Sequence, residues 1–296
     1  MKILLLGSGG QLGASLSKLA RESAFELISP SSSQANLEDV NELKSLITST
    51  KPELVINAAA FTDVEKCEDA VEYAMQINAY APAELAKLSN EIGFKFVHFS
   101  TDYVFSGPRS TPWSEEDRPN PISVYAQSKL LGEKLIIGSK AEQYLIVRTS
   151  WLYSKSRKNF VKKVIYKLLH SDETLYIVDD QIGQLTNVDD VSTLTFKLMQ
   201  LDMATGIFHV SSSGSASWFE VAKKIALFVG ERLDRIQPIS SSAYNARAKR
   251  PSYSVLSHEK ITNLGLARID DWEICLEKSI QEISDELRHE VEAGRW

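Results

Sequence analysis

Tyr125 and Lys129 are the two side chains whose types and spacing most directly indicate chemistry. They lie four residues apart in a stretch with helical periodicity over residues 124–137, and residues at that spacing share one face of a helix. A phenol with an ordinary pKa of ~10 is a poor acid at neutral pH, but a neighbouring ammonium favours the phenolate and lowers that pKa. The pair predicts a proton donor, Tyr125, assisted by Lys129, although an ordinary pair on a helix surface has the same spacing.

The elements that must position this pair follow from the hydrophobic pattern. Short apolar runs alternate with amphipathic stretches, which predicts a parallel sheet with helices on both faces. The predicted strands are 3–6, 25–29, 54–57, 96–99 and 145–148, and the predicted helices are 11–21, 40–47, 73–91 and 124–137. We therefore predict an α/β fold, a Rossmann-type doubly wound parallel sheet, for residues 1–152.

The pattern loosens after Thr149. Helical stretches at 160–169, 191–201, 218–229 and 277–292 are interleaved with strand-like runs at 175–178 and 207–210. This mixture predicts a smaller, mixed α/β C-terminal domain over residues 153–296 that mainly binds substrate. Later strands, such as 175–178, can still return to the edge of the first sheet.

A glycine-rich run follows the first predicted strand and opens the first predicted helix. Gly7, Gly10 and Gly13 occupy its first, fourth and seventh positions. Glycine reaches positive φ in a tight turn, and without side chains the backbone N–H groups at the helix N-terminus can approach a pyrophosphate. The run predicts a dinucleotide cofactor, with an ordinary strand-to-helix turn as the alternative.

The end of the second predicted strand bears on the choice of dinucleotide. An acidic residue that binds the ribose 2′-hydroxyl is expected here, but residues 27–33 read Leu-Ile-Ser-Pro-Ser-Ser-Ser. Without a carboxylate to repel a 2′-phosphate, the segment favours NADPH over NADH. After the third strand, Ala58, Ala59 and Ala60 are small enough for the backbone to lie beside the cofactor, or for a helix to pack there.

Thr101 and Asp102 end the fourth predicted strand, and such strand ends line the ligand crevice of a doubly wound sheet. The Thr101 hydroxyl can stabilise a carbonyl oxygen that gains negative charge, although both residues are also common turn caps. Tyr125 would protonate that oxygen while a nicotinamide delivers hydride. Lys129 would also hold the nicotinamide ribose.

Composition excludes other classes of function. The chain has 33 basic and 39 acidic residues among 296, a net charge of −6 that offers no electrostatic footprint for nucleic acid or an anionic membrane. No apolar run approaches the ~20 residues that span a bilayer, so we expect a cytoplasmic protein. Cys67 and Cys275 lack ligand spacing, so we expect neither a disulfide nor a zinc site.

With these residues assembled, the sequence closely resembles the dTDP-4-dehydrorhamnose reductase family of extended short-chain dehydrogenases/reductases. The resemblance covers nearly the whole chain. It is carried by the glycine run and by residues 55–60, 100–105, 125–133, 148–151, 159–160, 180–183 and 248–251.

The resemblance implies reduction of the 4-keto group of a dTDP-linked 6-deoxy sugar, dTDP-4-dehydro-L-rhamnose, to dTDP-L-rhamnose. It implies NADPH as cofactor, NADH being possible, and the catalytic residues Thr101, Tyr125 and Lys129. The expected cofactor contacts, which include the loop glycines, are Gly7, Gly10, Gln11, Leu12, Gly13, Asn36, Leu37, Ala58, Ala59, Ala60, Phe99, Tyr125 and Lys129. The expected substrate contacts are Thr101, Asp102, Tyr103, Trp151 and Arg250.

Three departures from the family pattern matter. Asn36 stands where Asp is frequent, which bears on the cofactor. Gln184-Leu185-Thr186 replaces the more usual Ala-Pro-Thr and is expected to alter the substrate pocket. Ser15 stands where some members carry a Glu that binds a dimer-forming magnesium, so we expect no metal site and favour a monomer over a homodimer. The alternatives are a reductase or epimerase of another nucleotide sugar and a non-catalytic regulatory subunit on the same fold.

Overall fold

The apolar runs in the first half of the chain form the strands of a parallel sheet. The structure is a computed structural model that describes residues 1–201 and 204–296. Its strands are β1 (Lys2–Leu6), β2 (Glu26–Ile28), β3 (Leu54–Asn57), β4 (Lys95–Thr101), β5 (Tyr144–Thr149), β6 (Leu152–Tyr153), β7 (Leu175–Val178), β8 (Ile182–Gly183), β9 (Thr186–Asn187), β10 (Gly206–His209), β11 (Ser212–Ser213), β12 (Ala216–Ser217), β13 (Ile236–Ile239) and β14 (Ile269–Asp271).

The amphipathic stretches form the helices. These are α1 (Gln11–Glu22), α2 (Val40–Thr50), α3 (Val64–Cys67), α4 (Val71–Met75), α5 (Ala81–Ile92), α6 (Val124–Gly138), α7 (Phe160–His170), α8 (Val188–Met199), α9 (Trp218–Phe228), α10 (Ser241–Tyr244), α11 (Glu259–Asn263) and α12 (Trp272–Glu292). A π-helical turn (Gln76–Tyr80) joins α4 to α5, and 3₁₀ turns span Asp102–Val104 and Leu233–Arg235. Across the described residues, no helix has both the length and the apolar character needed to cross a membrane.

Six strands form the central sheet in the order β10-β5-β4-β3-β1-β2, and all neighbours are parallel. The strand order reverses at β1, which lies between β2 and β3. Ligands of doubly wound sheets bind in the crevice beyond the carboxyl ends of the strands at such a reversal. The architecture confirms the predicted α/β fold.

Strand β1 shows how a continuous apolar run supports two cores. Ile3 and Leu5 pack in a cluster with residues of α1 and α8, whereas Leu4 and Leu6 pack in a cluster with residues of α2 and α5. Successive strand residues point to opposite faces of a sheet. Because helices cover both faces, every position of the run is apolar.

A third hydrophobic cluster forms the core of a second lobe, which contains α7, α9, α12 and the strand pair β7–β13. Residues 175–178, for which the sequence leaves a return to the first sheet open, pair instead with Ile236–Ile239, a segment that the pattern did not identify as a strand. It is β10 that rejoins the central sheet, beside β5, while α8 packs on α1.

Two predicted helices differ from the structure in detail. The stretch over 73–91 is helical, but its middle is the π turn Gln76–Tyr80, and such widened turns are frequent at functional sites. The C-terminal helix begins at Trp272 instead of residue 277, because Asp271 accepts a hydrogen bond from the Glu273 N–H and caps it.

Candidate active site

The glycine run forms a tight loop between β1 and α1 that packs against the end of β3. Gly7 has a φ of +81°, a conformation open mainly to glycine. A Cβ at Gly7 would lie 2.5 Å from the Ala59 nitrogen, and one at Gly13 would lie 2.0 Å from the Gly7 carbonyl oxygen. Both positions therefore require glycine.

A cavity of about 730 Å³ opens above this loop, within the size range of small-molecule sites. It brings together seven of the predicted cofactor contacts: Gly7, Gly10, Asn36, Leu37, Ala58, Ala59 and Ala60. Ser29, Ser31 and Ser32 also line it. No lysine or arginine belongs to this lining within the part of the chain that the structure describes.

The other predicted cofactor residues do not line this cavity. The side chains of Leu12 and Phe99 are buried in the core cluster beside α1. The Gln11 side-chain oxygen accepts hydrogen bonds from Ser154 Oγ at 2.9 Å and Asn159 Nδ2 at 3.2 Å. The start of α1 is thereby tied to the segment that precedes α7.

Arg157, which the sequence did not single out, lies in that segment. It is exposed, and its Nη2 lies 3.9 Å from the position of a Cβ at Gly9. Its φ is +70°, unusual for a residue with a side chain. Arg157 therefore brings a guanidinium close to the glycine loop. No local motif marks it, because it follows β5 by several residues.

Thr101 and Asp102 lie at the carboxyl end of β4, as predicted, and both are buried. Thr101 Oγ1 donates to Asp102 Oδ1 at 3.1 Å and accepts from the Tyr103 N–H at 3.2 Å. Asp102 Oδ2 accepts from Ser150 Oγ at 2.9 Å and Ser254 Oγ at 2.5 Å. The carboxylate is thus enclosed by hydroxyl groups. Ser150 and Ser254 are further residues that sequence spacing did not identify.

Tyr125 and Lys129 lie on α6, whose first turn is capped by Ser123. The helix approaches the π turn closely, because a Cβ at Gly132 would lie 2.3 Å from the Asn78 carbonyl oxygen. Asn78 Nδ2 also donates to Ser128 Oγ at 3.0 Å. These contacts fix the rotation of α6, so that Lys129 is buried at 2% exposure while Tyr125 is partly buried.

Buried polar groups surround Lys129. Its Nζ lies 3.0 Å from His98 Nε2. One turn further along α6, Glu133 forms a buried ion pair with Arg148, at 2.6 Å between Oε2 and Nη2. Ser100 Oγ also donates to Glu133 Oε1 at 2.5 Å. The ion pair anchors α6 to β5, and the Ser100 hydrogen bond anchors it to β4.

Burial, more than charge, sets the pKa values at this site. It raises the pKa of Tyr125, which hydrogen bonding to Thr101 only partly opposes. It also lowers the pKa of Lys129 to about 7, with Glu133 opposing the shift, and raises the pKa of Asp102 to about 6. The expectation that Lys129 lowers the pKa of Tyr125 is wrong for the protein without its ligands, because desolvation disfavours both charged forms.

Tyr103 and Arg250 meet at the edge of the site. Tyr103 packs edge-on against Tyr125, with ring centroids 6.2 Å apart, and hydrogen bonding with Arg250 opposes the burial that raises the Tyr103 pKa. Arg250 Nη2 lies 2.7 Å from Glu65 Oε1, at 21% side-chain exposure. Arg250 is therefore a fixed guanidinium beside the aromatic pair, not a free surface arginine.

Trp151 follows β5 in a strained conformation, with a φ of +42°. Bulky residues rarely adopt positive φ, and such strain is concentrated at functional sites. Its indole stacks on Trp218 at 3.6 Å between centroids, and a Cβ at Gly183 would lie 2.4 Å from its Cε2. Among the described residues, its buried Nε1 has no hydrogen-bond acceptor.

Gln184 and Leu185 lie behind this site. The Gln184 amide accepts from the Leu256 N–H and Ser211 Oγ and donates to the Ser212 carbonyl, and Leu185 is buried in the core of the second lobe. The Gln184 backbone N–H also donates to Ser150 Oγ at 3.4 Å, and Ser150 binds Asp102. An effect of this segment on the substrate pocket therefore stays a prediction.

Ser15 takes part in helix packing. Its Oγ donates to Asp189 Oδ1 at 2.5 Å and joins α1 to α8. Within residues 1–201 and 204–296, no group of three or more His, Cys, Asp or Glu side chains is placed to hold a metal ion.

Comparison with known proteins shows the family to which this chain belongs. A family model described as RmlD substrate binding domain matches residues 1–285. The spore coat polysaccharide biosynthesis protein SpsK of Bacillus subtilis (strain 168) is 36% identical over 283 residues, which cover 96% of this chain and 98% of SpsK. The dTDP-4-dehydrorhamnose reductase of Escherichia coli (strain K12) is 32% identical over 300 residues, covering 96% of this chain and 98% of that protein.

A solved structure is similar over the same length. The crystal structure of dTDP-4-dehydrorhamnose reductase from Bacillus anthracis str. Ames in complex with NADP has a TM-score of 0.91 and 33% identity, and covers 95% of this chain and 99% of that chain. The match of family, sequence and fold over nearly the whole length shows that this chain belongs to the RmlD substrate binding domain family.

Proposed function

We propose that this chain catalyses the NAD(P)H-dependent reduction of the 4-keto group of a dTDP-linked 6-deoxy sugar, converting dTDP-4-dehydro-L-rhamnose to dTDP-L-rhamnose. The proposal is carried by the hydrogen bond between Tyr125 and Thr101 at the carboxyl end of β4, with Lys129 one turn along α6 from Tyr125. The glycine-lined cavity supplies the dinucleotide site. Relatives named dTDP-4-dehydrorhamnose reductase, which match nearly the whole chain, support the same reaction.

The residues around the glycine loop fit a dinucleotide. The loop leaves room for phosphates above its backbone N–H groups, and Arg157 adds the positive charge that the cavity lining lacks. Ser29, Ser31 and Ser32 offer hydroxyls and no carboxylate, so NADPH is the preferred cofactor and NADH the alternative. The nicotinamide supplies the hydride.

Tyr125 donates the proton to the C4 oxygen, since burial keeps its phenol protonated at neutral pH. The Tyr103 N–H holds Thr101 Oγ1 in place, and the Thr101 hydroxyl hydrogen turns from Asp102 toward the C4 oxygen as negative charge develops there. As an ammonium, Lys129 stabilises the phenolate that remains and holds the nicotinamide ribose.

The substrate contacts are divided between the two lobes. Tyr103, Trp151 and Arg250 contact the sugar nucleotide, and the Arg250 guanidinium suits its pyrophosphate. The Asp102 carboxylate is enclosed by hydroxyl groups, so we now place it behind Thr101 as a positioning residue. We propose residues 1–152 as the cofactor-binding lobe and residues 153–296 as the lobe that mainly binds substrate, with α8 and β10 packed on the first lobe.

Turnover of a substrate panel tests the proposal. Oxidation of NADPH is followed with dTDP-4-dehydro-L-rhamnose, with its D-configured 4-keto precursor and with a UDP-linked 4-keto sugar. We expect the highest kcat/KM for the first substrate. Turnover of only a different sugar overturns the assignment of the substrate, isomerisation without net NADPH oxidation indicates an epimerase, and no turnover of any substrate favours a regulatory subunit.

Three further expectations belong to the same proposal. We propose a cytoplasmic enzyme that acts as a monomer and needs no metal ion. Cell fractionation checks the location, light scattering of the purified protein checks the monomer, and activity after treatment with a chelator checks the independence of metal.

A further inference from the structure

Three buried side chains form a chain of contacts from β3 through β4 to α6. Asn57 Nδ2 lies 3.2 Å from His98 Nδ1, and His98 Nε2 lies 3.0 Å from Lys129 Nζ. Their exposures are 0%, 0% and 2%. Because buried polar groups that fail to pair are costly, each contact should join one donor to one acceptor.

The orientation of the Asn57 amide is fixed by its other contact. The Ala59 backbone N–H donates to Asn57 Oδ1 at 3.1 Å. A backbone N–H can only donate, so the oxygen must face Ala59 and the NH₂ group must face His98. His98 Nδ1 is therefore the acceptor in this pair.

The tautomer of His98 follows. A neutral imidazole that accepts at Nδ1 carries its hydrogen on Nε2, and this N–H points at Lys129 Nζ. An ammonium has no lone pair, so a charged Lys129 would oppose two donors at 3.0 Å. A neutral amine accepts the hydrogen bond. Burial acts in the same direction, since it lowers the pKa of both His98 and Lys129.

We infer that Asn57 and His98 hold Lys129 as a neutral amine in the cofactor-free protein, and that dinucleotide binding makes this amine take up a proton. The second step rests on the proposed function. With the cofactor bound, the anionic dinucleotide and a phenolate developing at Tyr125 both favour the ammonium form of Lys129. His98 is a positioning residue, because it acts on the reaction only through Lys129.

The other ionisable groups near Lys129 do not remove this preference. On its own helix these are Tyr125, four residues before Lys129, and Glu133, four residues after it, and Arg148 on β5 pairs with Glu133. Glu133 favours the ammonium, but its two oxygens are already bound by Arg148 and Ser100. Proton uptake therefore waits for a further negative charge.

The tautomer is measured directly by ¹H–¹⁵N correlation of histidine-labelled, cofactor-free protein at pH 8. The chain has five histidines, and the His98 signals are those that shift in Lys129→Met. We expect the His98 hydrogen on Nε2. A hydrogen on Nδ1 overturns the inference, because Lys129 would then donate as an ammonium. This measurement needs no activity, so its outcome is independent of the proposed function.

The near-isosteric variant Asn57→Asp supplies a second test. Aspartate presents an acceptor to His98 Nδ1, so we expect the His98 hydrogen to move to Nδ1, which frees Nε2 to accept from a charged Lys129. An unchanged tautomer in a folded variant contradicts the assigned role of Asn57.

Proton uptake is measured by calorimetric titration with NADPH at pH 8 in buffers of different ionisation enthalpy. We expect close to one proton per NADPH in the wild type and in the exposed control Lys134→Met, and none in Lys129→Met. Equal uptake by all three proteins, or no uptake by the wild type despite binding, overturns the second step. Absence of NADPH binding by the wild type would instead contradict the proposed function.

Discussion

The pH dependence of stability in Lys129→Met follows from the buried amine. Lys129 is 2% exposed, and burial lowers its pKa from 10.5 to about 7. Between these values the unfolded chain binds a proton that the folded protein does not, so this residue makes the wild type more stable as pH rises. Below pH ~7 the penalty of the buried charge is fully present.

This lowering of the Lys129 pKa means that the buried ammonium destabilises the folded protein by at most on the order of 5 kcal/mol at low pH. Methionine has similar length and carries no charge. It leaves the His98 N–H without an acceptor, which costs about 1–3 kcal/mol at every pH. We therefore expect the free energy of unfolding of Lys129→Met to exceed that of the wild type by about 2 kcal/mol or more at pH 6, and this advantage to disappear by pH 10.

Urea denaturation of the cofactor-free proteins at pH 6, 8 and 10 measures this effect. Lys134→Met, on the exposed face of the same helix, is the matched control and should follow the wild type at each pH. A difference between Lys129→Met and the wild type that does not change with pH would refute the reasoning, since an amine with an ordinary pKa would then be present.

Three other substitutions test separate parts of the site. In Asp102→Asn, removal of a carboxyl whose pKa lies at about 6 instead of 3.8 should stabilise the protein relative to the wild type by up to roughly 3 kcal/mol as pH rises from ~4 to ~7. The wild-type folded state holds a proton in that range which the unfolded state has lost, and thermal unfolding at several pH values measures the trend. Glu133→Gln breaks the buried pair with Arg148 and should lower the free energy of unfolding by roughly 3–5 kcal/mol in urea. Gly13→Ala places a Cβ 2.0 Å from the Gly7 carbonyl and should weaken NADPH binding at least about tenfold, as read by fluorescence titration.

The chain offers controls for two of these variants. Glu142→Gln removes an exposed carboxylate and should leave stability within about 0.5 kcal/mol of the wild type. Gly138→Ala adds a methyl group where no atom lies within 4 Å, so NADPH affinity should not change. Equal losses in each variant and its control would contradict the assigned contacts, and a pH-independent effect of Asp102→Asn would contradict the raised pKa.

Local sequence pattern was sufficient where one element carries the information. The four-residue apolar run of β1, the glycines of the loop and the spacing of Tyr125 and Lys129 each reflect a periodicity or a backbone requirement within a few residues. The predicted fold followed from these patterns. So did Gly7, Gly10 and residues 58–60 of the cavity lining, whereas Asn36 and Leu37 followed from the family resemblance.

Local sequence pattern could not predict the contacts between segments that are far apart in the chain. His98 on β4 contacts Lys129 on α6, and Ser254 binds Asp102, from which it is separated by 152 residues in the sequence. Periodicity indicates which face of an element is buried, but not which buried polar groups meet there. The sign of the Tyr125 pKa shift was missed for the same reason, because it depends on desolvation in the folded protein.

Tyr125→Phe tests the central claim most directly. The variant removes one hydroxyl and keeps the ring, and Tyr176→Phe, at 62% exposure on β7, is its control. With NADPH and dTDP-4-dehydro-L-rhamnose, we predict that kcat of Tyr125→Phe falls by about 10²–10⁴-fold, while the Kd for NADPH and the kcat of the control stay unchanged. Turnover by Tyr125→Phe at the wild-type rate would contradict the claim that Tyr125 is the proton donor.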